Sequence, residues 1–134
     1  MNEHTDTPEK HETSLNLVPA QALKTTKYRY AGEPMEVEYW TEEFASLCPQ
    51  DGSLKTGSLF VRYVPFAHLI ELTSLGTYLS SYRKLAILHE HAVKRILDDL
   101  VKLCQPKSMT VEADFALQES MGVRAKAHYQ RRGA

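Results

Sequence analysis

The chain has 134 residues, of which 43% are hydrophobic and 25% charged, with a formal net charge of −1. That is the balance of one soluble globular domain. A charge so near zero gives no reason to invoke nucleic acid or an anionic membrane as partner. No apolar run approaches the about 18 residues a membrane span needs, and the N-terminus lacks the apolar core of a signal peptide, so a cytoplasmic protein is expected.

Residues 1–14 are almost wholly polar and are expected to form a disordered tail before a single domain over 15–134. Gly32-Glu33-Pro34 reads as a turn, and Met35–Trp40 alternates apolar and polar side chains as a half-buried strand does. Cys48-Pro49 then lies where the chain turns from one strand toward the next, with Asp51-Gly52 and Gly57 as further turn punctuation. Alternation over 58–64 predicts a second strand, closed by Pro65. Leu72, Leu75, Leu79 and Tyr82 recur at helical steps and predict a helix over 71–83. Gly76 weakens it by about 1 kcal/mol relative to Ala.

The strongest helix is predicted over 88–104, where Ala92, Val93, Ile96, Leu97, Leu100, Val101 and Cys104 form one apolar stripe. Gln105-Pro106 stops it. Met109–Phe115 and Met121–Ala127 alternate as two more strands, joined around 117–120. The order is β-β-α-α-β-β, an α+β layout with both helices on one face of an antiparallel sheet. Such a small sheet leaves edges to cover, and pairing copies edge to edge would cover them, so a homo-oligomer with sites between subunits is expected.

Candidate chemistry centres on Cys48. Beside a proline at a strand end, a thiol can be held partly exposed, and a thiolate attacks electrophilic carbon. Cys104, on the apolar stripe, belongs to the core, and the two cysteines are read as free thiols rather than a disulfide. His89 and His91 fall on different sides of the helix, so no metal site is expected. Glu90, near the same helix start, suits the positive end of the helix dipole. Arg131-Arg132 is too small a basic group to argue for RNA.

Around these residues the chain resembles the 7-cyano-7-deazaguanine reductases of queuosine biosynthesis, members of the tunnelling-fold superfamily. It is also similar to their archaeal relatives, the amidinotransferase-type enzymes that make archaeosine on tRNA. The family reads Glu-Phe-Thr-Ser-Leu-Cys-Pro around its nucleophile, and this chain reads Glu43-Phe44-Ala45-Ser46-Leu47-Cys48-Pro49. The family's Glu-Ser-Lys-Ser-Leu-Lys corresponds to Glu71-Leu72-Thr73-Ser74-Leu75-Gly76. Its Phe-Arg-Asn and Phe-His-Glu correspond to Tyr82-Arg83-Lys84 and Leu88-His89-Glu90. The spacings match without a gap, and the resemblance covers about residues 23–129.

The resemblance implies a tunnelling fold whose subunits close into a barrel-like oligomer with intersubunit active sites. It implies that Cys48 adds to the nitrile of 7-cyano-7-deazaguanine to give a covalent thioimide. Glu90 would accept hydrogen bonds from the guanine-like edge, with Glu71 and Ser74 also at the substrate. His89 would position substrate or assist proton transfer. NADPH-dependent reduction to 7-aminomethyl-7-deazaguanine is the leading expectation. Amidine formation on the same nitrile, in which tRNA contact is possible, is the second. A non-catalytic paralogue that binds a deazapurine or pterin is the third.

Three departures bear on this. Where the family carries an aspartate, seven residues past the nucleophile, this chain has Lys55. A lysine can donate a proton, and its charge would favour a thiolate at Cys48. Asp51 is the nearby carboxylate able to stand in. The lysines associated with NADPH in the reductases are here Thr73 and Gly76, leaving Arg83 and Lys84, with Arg62, as replacement cations. An Arg-Gly-Gly-Ile-type turn becomes Glu119-Ser120-Met121-Gly122-Val123. The segment 81–90 looks closer to the archaeal branch.

Overall fold

A computed structural model describes residues 20–116 and 121–133. The expected tail at 1–14 and the joint at 117–120 lie outside the described residues. Strands β1 (Thr25–Lys27), β2 (Val37–Leu47), β3 (Leu54–Val64) and β4 (His68–Ile70) precede helices α1 (Leu72–Ser80) and α2 (His89–Cys104). Strands β5 (Ser108–Ala116) and β6 (Gly122–Gln130) follow. β2, β3, β5 and β6 form one antiparallel sheet in that order, and β1 pairs with β4 in a separate two-stranded ribbon.

Side chains two apart on a strand share a face. Leu59, Val61 and Tyr63 of β3 therefore meet Met109, Val111, Ala113 and Phe115 of β5 on one buried surface. The stripe of α2 (Ala92, Val93, Ile96, Leu97, Leu100, Cys104) covers it. On the opposite face charges pair across strands, Arg62 with Glu38 and Glu112 at 2.9 Å each and Arg124 with Asp114 at 3.2 Å. The α+β layout with helices on one face is thus the observed one. No helix among the described residues is long and apolar enough to cross a membrane.

Four details differ from the sequence expectation. β1 and β4 have three residues each, too few for alternation to mark them. β4 is tied to the sheet by tyrosines: the Ile70 N–H donates to Tyr63 Oη at 2.9 Å, and Tyr39 Oη donates to the Ile70 carbonyl at 2.8 Å. The helix expected over 71–83 ends at Ser80 and continues as a 3-10 turn over Ser81–Lys84. There Tyr82 turns inward, hydrogen-bonding Tyr78 at 2.9 Å and packing on Phe44. Gly57 lies inside β3 rather than in a turn.

The fourth difference positions the site. β2 runs to Leu47, past a register shift against β3 between Thr41 and Phe44. Such a bulge inserts residues into one strand and changes which side chains face inward. Before it the odd-numbered Tyr39 packs toward the core; after it the even-numbered Phe44 and Ser46 do. Cys48 follows Ser46 by two residues, just past the end of the strand.

Candidate active site

The end of β2 is clamped. The Leu47 N–H donates to the Leu85 carbonyl at 2.8 Å, and the Ile87 N–H donates to the Leu47 carbonyl at 3.0 Å. Ser46, fully buried, donates through Oγ to the Ile87 carbonyl at 3.2 Å. Residues 85–87 therefore run as a strap beside the strand end, and the next residues begin α2. This is how 41 residues of separation collapse into one place. Cys48, Pro49, Lys55, His89, Glu90 and Val123 line a cleft of about 180 Å³.

The cysteine loop is closed by two backbone bonds. The Cys48 N–H donates to the Ser53 carbonyl and the Gly52 N–H to the Cys48 carbonyl, both at 2.8 Å. Gly52 has φ +75°, a backbone conformation that glycine adopts without strain. The Cys48 thiol is half-buried and donates to Gln50 Oε1 at 3.3 Å. Asp51 accepts from the Ser53 N–H at 2.9 Å and from Ser53 Oγ at 2.7 Å. Those bonds, the backbone one foremost, hold its carboxyl below the usual range. The Cys48 side chain and the Lys55 charge contribute less to the same shift, so Asp51 fastens the loop close beside the sulfur, although it is not among the residues lining the cleft.

At the start of α2 the N-cap is Leu88, which provides no side-chain acceptor. The first N–H groups of a helix have no intrahelical partner and carry partial positive charge. Leu88, His89 and Glu90 bring this helix end to the cleft wall. His89 lies flat on Phe115, ring centroids 3.3 Å apart and planes 10° from parallel. Burial holds its imidazole below the ordinary value; Glu90 opposes this and Lys55 reinforces it. One cleft thus offers a thiol, an ammonium, a neutral imidazole, a carboxylate and a positive helix end. That set can add sulfur to an electrophilic carbon, steady negative charge on the atom beyond it, and accept N–H groups from a flat ring.

Other expected site residues are placed elsewhere. Glu71 caps α1, accepting from the Ser74 N–H at 2.8 Å and the Thr73 N–H at 3.2 Å, and the Ser74 bond chiefly holds its carboxyl low. Ser74 Oγ accepts from the Lys24 N–H and donates to the Glu71 carbonyl, both at 3.0 Å. Both residues are committed to the α1 start, and neither lines the cleft. Arg83 and Lys84 are exposed on the 3-10 turn, a few residues before the cleft wall. Cys48 and Glu90 share a cleft of one chain, where sequence reasoning had them meet across a subunit boundary.

Volume alone does not mark the site. A cleft of about 600 Å³ around Tyr28, Tyr30 and Leu69 is larger but holds no thiol. Cys104 is buried in the core, and burial pushes its thiol up to about 12. Among the described residues no group of three His, Cys, Asp or Glu is placed to hold a metal ion. Sequence reasoning missed Gln50 and Phe115 as neighbours of the reactive groups; both read there as ordinary loop and strand residues.

A family model described as "QueF-like protein" matches residues 56–134. A protein of Caldicellulosiruptor bescii is 45% identical over 114 residues, covering 85% of this chain and 87% of that one. The chain belongs to the QueF-like family. That relative is named NADPH-dependent 7-cyano-7-deazaguanine reductase. The Thermoanaerobacter pseudethanolicus relative, 42% identical over 85% of this chain and 86% of its own length, carries the same name. Among solved structures, an archaeosine synthase in the apo form superposes with a TM-score of 0.67 at 22% identity, over 72% of this chain and 94% of that one. At that identity the likeness concerns the fold.

Proposed function

We propose that this chain is a cytoplasmic, NADPH-dependent 7-cyano-7-deazaguanine reductase serving the queuosine modification of tRNA, with Cys48 as nucleophile. The observation that carries the reading is the convergence of Cys48, Lys55, His89 and Glu90 on one cleft, in a chain up to 45% identical to reductases. The sulfur of Cys48 bonds to the nitrile carbon, the C≡N bond becomes C=N, and the nitrogen takes a proton, giving the thioimide. Lys55 donates that proton, and the N-terminus of α2 steadies charge on the nitrogen. Glu90 accepts the ring-edge N–H groups, and neutral His89 orients the ring or accepts a proton.

NADPH, when bound, supplies the hydrides that carry the thioimide to the aminomethyl base, the C–S bond breaking on the way. Thr73 and Gly76 offer its phosphates no charge, but Arg83 and Lys84 are exposed cations a few residues before the cleft-lining Ile87 in sequence and suit that role. The relatives' shared name favours reduction over amidine formation.

The cleft is smaller than the about 300–1,000 Å³ of a typical small-molecule site, and β2 and β6 are the outer strands of their sheet. Both features favour a homo-oligomer, barrel-like in section, in which a second copy completes the substrate and cofactor site. NADPH oxidation followed by absorbance tests the reading. Consumption that requires the nitrile is expected. Product with ammonia and no NADPH consumption would replace reduction by amidine formation.

A further inference from the structure

His89 owes its orientation to a ring outside the cleft wall. Phe115, 1% exposed on β5, lies face to face with the imidazole at 3.3 Å between centroids. The backbone of Gly57 also crowds Phe115. A Cβ added at Gly57 would stand 2.7 Å from Phe115 Cδ2, 2.9 Å from its Cγ and 2.5 Å from the Asp114 carbonyl oxygen. Real contacts at such distances do not occur, so only glycine leaves room for the ring where it lies. Phe44, paired opposite Gly57 across the strands, meets Phe115 edge-on at 6.2 Å. The ring is thus hemmed in by Gly57 and Phe44 and presents a flat face to His89.

We infer that Phe115 is a positioning residue for His89, and that Gly57 is the gap that allows it. An imidazole on χ1 and χ2 alone would sweep several orientations at a helix's first residue. Stacked, it keeps one plane, so its ring nitrogens project along fixed directions in the cleft. The charged and titratable groups sharing the cleft with His89 are Glu90 on its own helix, Lys55 on β3 and Cys48 in the loop. None of them supplies a flat apolar face.

The consequence for turnover rests on the reductase reading; the stack itself does not. Proton NMR of the native protein reads it directly, because protons held over an aromatic face are shifted upfield. Assigned with a His89→Gln variant, the His89 ring protons should resonate clearly upfield of those of His68 and His128. Ordinary imidazole shifts would overturn the inference. Phe115→Leu keeps apolar volume but removes the face. Its His89 ring protons should lose the upfield shift, and kcat should fall about tenfold with little change in KM. Phe115→Tyr, which keeps the face, should restore both. A folded Phe115→Leu whose His89 ring protons resonate where the parent's do would contradict the inference, whatever the enzyme's activity. An unchanged kcat beside moved resonances would contradict the catalytic consequence. Gly57→Ala, which displaces the ring without touching it chemically, should move the His89 resonances in the same direction as Phe115→Leu; resonances left in place would count against the gap.

Discussion

The two helices begin differently, and the contrast separates stability from chemistry. At α1, Glu71 sits at the N-cap and spends both carboxylate oxygens on the Ser74 and Thr73 N–H groups. At α2 the cap is an apolar leucine, and the glutamate, Glu90, lies inside the first turn at the cleft with Cys48. Motif spacing treats the two glutamates alike. Geometry does not: one carboxylate is consumed by its own helix start, whereas Glu90 lines the cleft that holds the reactive sulfur. A helix start whose N-cap side chain accepts no hydrogen bond forgoes that part of its stability, and its end carries partial positive charge.

The sharpest way to break the contrast is at the sulfur. Cys48→Ala should abolish turnover, by about a thousandfold or more, while leaving thermal unfolding nearly unchanged; residual turnover near the parent's would remove the nucleophile. Lys55→Met should lower kcat about a hundredfold, the scale of a lost general acid. An unaltered pH–rate profile in that variant would show that the ammonium is a bystander. Glu90→Ala should weaken substrate binding about ten- to a hundredfold, since ring-edge N–H groups lose a charged acceptor. Titration calorimetry with the nitrile base reads this. Glu71→Ala is the counterpart. It should lower Tm by a few degrees through loss of the cap and leave substrate affinity as it was; a loss of affinity would return Glu71 to the site.

The smallest effect is on pH. His89 has a folded value depressed below its ordinary 6.5. Its contribution is therefore full above 6.5 and is lost as pH falls through the folded value. Glu71 and Asp51 are also depressed, and their contributions disappear only at still lower pH, through the carboxylate range. Denaturant midpoints should fall modestly from pH 7 to pH 5, and His89→Gln should flatten that part of the curve. An equal slope in both proteins would mean that His89 is not the group responsible.

The fold was largely legible because its signals are long. Alternation over β3, β5 and β6 and the apolar stripe of α2 each span several residues that share a face. β1 and β4 were not, since three residues hold too little alternation and their ties come from the distant Tyr39 and Tyr63. The bulge in β2 was equally silent, yet it shifts the register just before buried Phe44 and Ser46, at the strand end that leads into Cys48. Gly57 looked like turn punctuation because its requirement, a ring of β5 against its Cα, is a tertiary one. At the site, Cys48, Lys55, His89 and Glu90, singled out by motif spacing, lie in one cleft. Asp51, Glu71 and Ser74 also make local hydrogen bonds that spacing does not reveal.

Intact-mass measurement after incubation with 7-cyano-7-deazaguanine, without NADPH, asks the most direct question. Expected is a gain equal to one molecule of the nitrile base in the parent and in Cys104→Ala, with none in Cys48→Ala. A parent protein that stays unmodified, or an adduct that survives in Cys48→Ala, would contradict covalent capture by this sulfur.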